Sequence, residues 1–154
     1  MKVKDVMTKE VVTVKPSTGI REVYKTIREH NIGGVPVVDA DNRFLGMVTK
    51  TELLDVLIPD YFGMVTDFLF IDDFGALEDK LENIPNLELF IAEDLMAGNA
   101  ISLSEDASLM KAPVLMSKYK VRKLPVVDKE NRLVGIVTRM DVCDALFNGK
   151  KKTQ

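Results

Sequence analysis

Cysteine and histidine are nearly absent from this chain of 154 residues, which contains one of each, Cys143 and His30. A single cysteine excludes an intrachain disulfide, and the position of Cys143 on an apolar helical face predicts a buried thiol in a reducing compartment. The sequence has no Cys/His spacing typical of a metal site and no nucleophile with a neighbouring base. We therefore expect a protein that is not an enzyme, with no catalytic residue, no metal site and no catalytic cofactor.

Long apolar runs are also absent. No stretch approaches the roughly 18 consecutive apolar residues that a membrane-spanning helix needs. The first ten residues, MKVKDVMTKE, have no apolar core of signal-peptide length. With 46% hydrophobic and 29% charged residues, the composition is that of a globular protein that needs neither a disulfide nor a metal to fold. We expect a cytoplasmic protein that does not contact a membrane.

Neither sign of charge dominates the chain as a whole, because the net charge is −3. Residues 59–91, however, contain eight acidic residues against Lys80 alone, which gives this stretch −7 and, by difference, leaves +4 on the rest. A modest basic excess that an acidic stretch opposes does not favour binding of nucleic acid. We expect no nucleic-acid partner.

The same stretch, residues 59–91, contains five of the seven phenylalanines in the chain. A flexible linker would not carry so many large apolar side chains, because exposing each one costs about 1.5–3 kcal/mol. Residues 73–84 have the spacing of a helix that ends before Pro85. We interpret the stretch as a partly helical insert, and two roles stay open: a lid on the chain's own sheet, or a surface for a dimer or another partner.

One sequence pattern occurs twice. Residues 32–52 read IGGVPVVDADNRFLGMVTKTE, residues 121–141 read VRKLPVVDKENRLVGIVTRMD, and the two align without a gap at an offset of 89 residues. The match extends over 3–58 and 92–147, which predicts a tandem pair packed face to face rather than a solenoid. We divide the chain into a first repeat at 1–58, an insert at 59–91, a second repeat at 92–147 and a polar tail at 148–154.

Each copy predicts the order strand, helix, strand, strand, helix. Residues 11–14 form a short apolar run that we interpret as a strand or an extended leading segment, and the runs 35–38 and 45–48 are joined by a polar hairpin loop. In the second copy Pro113 lies inside the helix expected at 106–118, and its missing N–H predicts a kink or a late start. The sequence therefore predicts an α+β fold in which each repeat has a small sheet with helices on one face.

The paired motifs resemble those of a known family. Each copy opens with Asp-Val-Met or Asp-Leu-Met, continues with an apolar-Pro-Val-Val-Asp run and ends with Gly-x-Val-Thr-x-x-Asp/Glu. This ordered set resembles a tandem of cystathionine β-synthase (CBS) domains, a Bateman module, over both repeats. The resemblance implies two β-α-β-β-α units packed sheet to sheet with pseudo-two-fold symmetry. It also implies two related clefts for AMP, ADP, ATP or S-adenosylmethionine, and a regulatory rather than catalytic role.

The resemblance assigns ligand-binding roles to residues of the second copy. It implies that Asp141 binds the ribose hydroxyls, that Thr138 lies near ribose or phosphate, and that Arg122 binds phosphate, with Lys123 and Arg139 adding to the same positive field. A carboxylate suits the first role because it accepts from two vicinal hydroxyls at once. Arginine suits phosphate binding because a charge-assisted hydrogen bond contributes roughly 1.5–3 kcal/mol.

The first copy departs from this pattern. Glu52 replaces the usual aspartate, and Gly33 and Gly34 stand where the second copy has Arg122 and Lys123. The first cleft is therefore empty, or admits a less phosphorylated ligand such as S-adenosylmethionine, or borrows Arg122 across the pseudo-symmetry axis. The remaining candidates occupy equivalent positions in the two copies: Thr49, the adenine contacts Met47, Ile136, Val35 and Leu124, and the hydroxyl residues Thr13 and Ser102.

Each candidate also has a structural interpretation. Thr49 and Thr138 are good helix N-caps with Glu52 and Asp141 in the first turn, which is compatible with binding. The basic pair before the strand is alternatively a solvated corner, and the apolar candidates are alternatively core residues.

Our leading hypothesis is a regulatory module that binds an adenosine-containing ligand and changes its own assembly, expected to be a homodimer, or the activity of a partner protein. The alternative is a ligand-free structural module that dimerises or binds another protein through its insert.

Overall fold

A computed structural model of the chain describes residues 1–56, 87–97 and 100–149. The helix expected at 73–84, four of the five insert phenylalanines and the end of the tail lie outside these residues. Phe90 is the insert phenylalanine within them. It is half-buried against the first-repeat core, and its carbonyl accepts the Ile20 N–H at 2.9 Å.

The helix, strand, strand, helix part of the predicted order is present in both repeats, while the leading strand is present only in the second, after a short helix that was not predicted. In the first repeat the helices and strands are α1 (Ile20–Glu29), β1 (Gly34–Val38), β2 (Phe44–Thr49) and α2 (Lys50–Asp55). In the second repeat they are α3 (Ala92–Leu95), β3 (Leu103–Ser104), α4 (Lys111–Tyr119), β4 (Lys123–Val127), β5 (Leu133–Thr138) and α5 (Arg139–Asn148). A short 3₁₀ turn at Val3–Asp5 begins the first repeat, and another at Leu87–Leu89 precedes the second.

Each repeat is built on an antiparallel hairpin, β1–β2 or β4–β5, with the same register and the same irregularity near its turn. In the second repeat β3 adds a parallel strand beside β4. In the first repeat Val14 alone makes this contact, as a single bridge to Val37. Residues 11–14 are therefore an extended leading segment rather than a strand.

The N-terminal segment of the first repeat packs on the second repeat. Val3 and Val6 are buried in a cluster whose other buried members all belong to the second repeat. The Val3 N–H donates to the carbonyl of Ala107 at 2.9 Å, and Thr8 pairs with Ile136 at the edge of β5. The second hydrophobic core is therefore completed by the first repeat.

The equivalent segment of the second repeat packs on the first. Ala92 and Leu95 are buried in a cluster whose other buried members belong to the first repeat. The Ala92 N–H donates to the carbonyl of Thr18 at 2.7 Å, and the Ala97 N–H donates to that of Met47 at 3.4 Å. The exchange is thus reciprocal, and neither repeat forms its core alone.

The two hairpins also meet directly. The Phe44 N–H donates to the carbonyl of Asn131, and the Leu133 N–H donates to that of Asn42, each at 2.9 Å. Both asparagines have φ of 63°, a conformation that asparagine tolerates better than most residues. Phe44 and Leu133 pack with the ends of β1 and β4 in a small cluster shared by both repeats. These bonds are reciprocal at the offset of 89 residues, as an approximate two-fold relation between the hairpins requires.

The helix that contains Pro113 starts late, which confirms one of the two sequence-based predictions. It begins at Lys111 rather than near residue 106, so that Pro113 falls in the first turn. Backbone N–H groups in the first turn of a helix have no hydrogen-bond partner within the helix. Proline, which has no backbone N–H, therefore costs no hydrogen bond there.

The prediction of a buried Cys143 is wrong, because the thiol is exposed. Helix α5 buries Val142 and Ala145. One residue further along a helix turns the side chain by about 100°, which carries Cys143 away from that face. The same helix leaves Phe147 84% exposed, so its apolar positions are only partly used in the core.

Candidate functional site

A capping box at the start of α5 fixes the main carboxylate of the second repeat. Oδ2 of Asp141 accepts the Thr138 N–H at 2.9 Å and the Thr138 hydroxyl at 3.0 Å, and Oγ1 of Thr138 accepts the Asp141 N–H at 3.2 Å. Asp141 is 6% exposed. The predicted capping role of Thr138 is confirmed, and we call this pair the second capping box.

The start of α2 carries the corresponding pair, Thr49 and Glu52, which we call the first capping box. Oε2 of Glu52 accepts the Thr49 N–H at 2.8 Å and also bonds the Thr49 hydroxyl. Both side chains are half-buried. The longer glutamate side chain therefore performs the same capping function, which confirms the predicted cap at Thr49.

Basic residues lie beside the second capping box because the first residue of β4 pairs with the last residue of β5. Lys123 is opposite Thr138 in the ladder. The Arg139 N–H donates to the Arg122 carbonyl at 3.2 Å, so the two arginines flank the junction of strand and helix. Both arginines are exposed. The structure thus brings together Arg122, Lys123, Thr138 and Arg139 with Asp141.

The side chain of Lys123 crosses to the other repeat. Its Nζ donates to the carbonyl of Gly34 at 2.9 Å. Lys123 is half-buried, and burial lowers the pKa of its ammonium group. Sequence reasoning considered Arg122 as the residue that crosses the axis, whereas in the structure the crossing residue is Lys123.

Gly34 allows the two strands of the first hairpin to approach closely. A Cβ atom at Gly34 would lie 2.8 Å from the carbonyl oxygen of Val48 and 2.8 Å from Cγ2 of Thr49, closer than side chains pack. Gly34 is opposite Thr49 in the first hairpin, just as Lys123 is opposite Thr138 in the second. The missing side chain thus allows close packing beside the first capping box.

The apolar candidates divide into two groups. Val35 and Leu124 are 0% and 1% exposed, and each belongs to the core of its own repeat. Met47 and Ile136 are half-buried on β2 and β5, at the strand edges that the exchanged segments join. A side chain fully committed to a core is not available to a ligand, so only the second group offers side-chain surface for an adenine ring.

The two hydroxyl candidates occupy matching positions. Thr13 precedes Val14, and Ser102 precedes Leu103, the residues that pair with the central strand of each repeat. Both side chains are half-buried. Their role as polar ligand contacts stays a prediction.

Two methionines that sequence reasoning left without a role lie beside the candidate site. Met96 packs on Gly46 and Met7 packs on Gly135, so closely that an added Cβ would lie 2.9 and 2.6 Å from the respective sulfur atoms. The signal was present in the sequence, because the Asp-Val-Met and Asp-Leu-Met motifs recur at the offset of 89 residues. The reciprocal exchange places each methionine against the hairpin of the other repeat.

A cavity of about 680 Å³ lies elsewhere, between α1 and α2. Its lining includes Tyr24, Arg28, Asn31, Lys50 and Leu53 and none of the candidate residues named above. We assign the candidate site to the capping boxes instead, because a fixed carboxylate, a hydroxyl and adjacent cations match the polar groups of a nucleotide, whereas the lining of this cavity includes cations but no carboxylate.

Comparison with known families identifies the repeats. The family model for the CBS domain matches residues 3–59 and 92–148. A CBS domain-containing protein of Dictyostelium discoideum is 31% identical over 145 residues, which cover 94% of this chain and 90% of that protein. Inosine-5'-monophosphate dehydrogenase of Methanocaldococcus jannaschii is 29% identical, but the match covers only 23% of that enzyme and 92% of this chain.

Solved structures share the fold over nearly the whole chain. CBSX2 in complex with AMP is 28% identical, with a TM-score of 0.71 and 96% of each chain covered. The CBS domain pair of protein MJ0100, in complex with 5'-methylthioadenosine and S-adenosyl-L-methionine, is 29% identical, with a TM-score of 0.68 and 98% of each chain covered. The predicted mixed α/β fold of two packed repeats is confirmed.

Proposed function

The chain belongs to the CBS domain family as a tandem pair, and from this premise we propose that it is a non-catalytic regulatory module that binds an adenosine-containing ligand between its repeats. The observation that carries the proposal is the grouping of Asp141, Thr138 and Arg122 in a fold shared with CBSX2, whose structure holds AMP. Such a grouping supplies an acceptor for hydroxyls and a cation for phosphate at the same helix N-terminus.

In the second cleft, the ligand site proposed at the second capping box, Asp141 binds the ribose. Its carboxylate is held in place by the Thr138 N–H and hydroxyl, so little side-chain freedom is lost when a ligand binds. Ile136 offers half-buried apolar surface for the adenine ring on β5, and Ser102 adds a hydroxyl before β3.

The phosphate lies on the exposed side of the same cleft. Arg122 and Arg139 flank the junction of β4 and α5, and both side chains are exposed to solvent, where an incoming phosphate can reach them. Arginine binds phosphate oxygens with two parallel N–H donors, so this corner favours AMP, ADP or ATP over an uncharged nucleoside.

The first cleft, proposed at the first capping box, takes a less phosphorylated ligand such as S-adenosylmethionine. Glu52 is the ribose acceptor there, Thr49 lies beside it, and Met47 and Thr13 supply the apolar and hydroxyl contacts. Gly33 and Gly34 provide no charge of their own. The ligands held by the CBS domain pair of MJ0100 support a ligand without phosphate in this fold.

The regulatory output is a change in assembly, with a homodimer as the expected form, or in the activity of a partner protein. A ligand shifts such an equilibrium only by its difference in affinity for the two states. The dehydrogenase match does not extend to the rest of that enzyme, so its activity is not part of the proposal. The alternative of a ligand-free interaction module is not favoured, because similar CBS pairs hold adenosyl ligands.

Among the residues that the structure describes, no helix has both the length and the apolar character needed to cross a bilayer. A cytoplasmic location is part of the proposal.

Calorimetric titration with AMP, ATP and S-adenosylmethionine tests the proposal. Asp141→Ala is expected to weaken binding of the nucleotide at least tenfold, because it removes the ribose acceptor, while Asp144→Ala on the same helix serves as the matched control. A ligand at 100 times its Kd stabilises the protein by about 2.7 kcal/mol, so melting curves give a second readout. Wild-type affinity in Asp141→Ala contradicts the site, and silence with all three ligands contradicts the function.

A further inference from the structure

The cavity between α1 and α2 is not used by the proposed function. Its volume of about 680 Å³ falls within the roughly 300–1,000 Å³ that is typical of small-molecule pockets. Tyr24 and Arg28 line it from α1, Lys50 and Leu53 line it from α2, and none of them belongs to a capping box. The cavity is therefore large enough to take a ligand other than the one proposed for the clefts.

The turn between α1 and β1 gathers polar side chains at one end of this cavity. As α1 ends, the Asn31 N–H donates to the carbonyl of Arg28 at 3.2 Å. After the turn, the carbonyl of Gly33 accepts the N–H of Lys50, the first residue of α2, at 3.0 Å. The last turn of α1 is therefore held beside the first turn of α2. Arg28, Asn31 and Lys50 all line this end of the cavity.

The other end of the cavity is apolar. About one helical turn away from the cations, the walls are Tyr24 on α1 and Leu53 on α2. These two side chains also line a smaller adjoining cavity, together with Ile20 and Leu87. The lining therefore changes from cationic to apolar along the two helices.

The cations in the lining have no counter-ion within the described part of the chain. Its salt bridges include neither Arg28 nor Lys50. Arg21, which lines the adjoining cavity, differs from them because its Nε donates to the carboxylate of Glu88 at 2.8 Å. One arginine of α1 thus already bonds a carboxylate, whereas the positive end of the larger cavity is left to attract an anion from solution.

We propose that this cavity binds an amphipathic organic anion, which carries a carboxylate on an apolar body. Arg28 and Lys50 bond the carboxylate, and the amide of Asn31 is a further donor. The apolar body lies between Tyr24 and Leu53, where each Å² of apolar surface removed from water contributes about 25 cal/mol. The site lies outside the two adenosine clefts and does not depend on the proposed function.

Decanoate below its micellar concentration is the probe. We expect it to shift the backbone ¹H–¹⁵N resonances of Arg28, Asn31 and Lys50 in the wild-type chain and to give a saturable calorimetric titration. Decanol keeps the apolar chain without the charge, and acetate keeps the charge without the chain. Each is expected to bind at least about fivefold more weakly than decanoate. Equal binding of acetate overturns an amphipathic site, and equal binding of decanol overturns the role of the cations.

Variants of exposed residues locate the bound decanoate. Arg28→Gln and Lys50→Gln are each expected to weaken its binding about fivefold, a modest effect because both side chains are exposed. Leu54→Gln, at a position of the same lining that is 60% exposed, is expected to weaken binding by removing apolar contact. Lys25→Gln is the matched control, because Lys25 is an exposed cation of α1 outside the lining. Unchanged affinity in both cation variants overturns the proposal.

Two further outcomes also overturn this site. Absence of any shift in the wild-type chain means that other residues of the chain, or a second copy of it, already fill the cavity. Displacement of decanoate by AMP means that decanoate binds in an adenosine cleft, whereas continued binding in the presence of AMP supports a separate site. Failure of the wild-type protein to bind AMP defeats only the proposed function.

Discussion

The two repeats share the same hairpin register and differ in the side chains at their capping boxes and at the start of the first hairpin strand. Both hairpins have the same register, and both second helices begin with a capping box. The second repeat has Asp141 and the basic pair Arg122 and Lys123, where the first has Glu52 and two glycines. The elements needed for folding are therefore the same in both repeats, whereas the charged residues beside the capping boxes differ, and the two proposed clefts differ with them.

The largest expected effect comes from breaking the exchange of segments. Leu95→Ala removes a side chain that is 6% exposed in the first-repeat core, although Leu95 itself belongs to the second repeat. We expect a loss of about 3 kcal/mol in the free energy of unfolding. Hydrogen exchange is expected to increase more in the first hairpin, β1–β2, than in β4–β5.

The control for this variant is Leu89→Ala, because Leu89 is 73% exposed. Its free energy of unfolding is expected to change by no more than about 0.5 kcal/mol. Faster exchange in β4–β5 than in β1–β2 after Leu95→Ala contradicts the exchanged packing.

A smaller effect on the free energy of unfolding is expected from alanine substitution at one of two neighbouring glycines, Gly33 and Gly34, which differ in their surroundings. Gly34→Ala places a Cβ 2.8 Å from the Val48 carbonyl oxygen, whereas an added Cβ at Gly33 meets nothing within 4 Å. We expect Gly34→Ala to lower the free energy of unfolding by about 2 kcal/mol, because a backbone atom cannot move aside as a side chain does. Gly33→Ala is expected to leave it nearly unchanged. Urea denaturation of both variants checks the difference, and equal stabilities contradict the close packing at the first hairpin.

The smallest effect concerns a surface ion pair that only the second core has. Lys4 Nζ lies 2.9 Å from Oδ1 of Asp106, whereas the equivalent positions in the other half are Glu93 and Ser17. The hydrogen bond and charge of Lys4 lower the pKa of Asp106 below its ordinary value. A carboxylate with a depressed pKa in the folded state contributes stability above its unfolded pKa, and this contribution is lost as the pH falls through the folded pKa.

Asp106→Asn is therefore expected to lower the Tm by about 1–2 °C at most at neutral pH, since exposed pairs contribute little. The difference from the wild type is expected to disappear in acid, once Asp106 is protonated. Thermal melts from neutral to acidic pH check this, and a difference that grows toward acid contradicts the assigned sign.

Local patterns in the sequence were sufficient to predict the two hairpins, the helices on either side of them and the capping boxes. The constant offset predicted two matching hairpins, and the Thr-x-x-Asp and Thr-x-x-Glu spacings predicted caps at Thr138 and Thr49, because capping involves residues only three positions apart. Pro113 predicted a kink or a late start of α4 for an equally local reason, and the late start is what the structure shows.

Contacts between the repeats were not predictable in the same way. The offset of 89 residues is the same whether Val3 packs on its own repeat or on the other, so periodicity carries no information about the exchange. Cys143 was misplaced because helical spacing alone does not reveal which part of a wide apolar face meets the core. The contact of Lys123 with Gly34 depends on how the two hairpins are juxtaposed, which no single motif encodes.

The exchange of segments also constrains the order of events during synthesis. Ala92 and Leu95 complete the core that begins with Val14 and α1, so this core cannot close when the first repeat leaves the ribosome. It closes only after the start of the second repeat has emerged, although domains generally fold as units from the N-terminal end. The first repeat therefore has an incomplete core until Ala92 and Leu95 have been synthesised. A chain truncated between the repeats would lack these two core side chains.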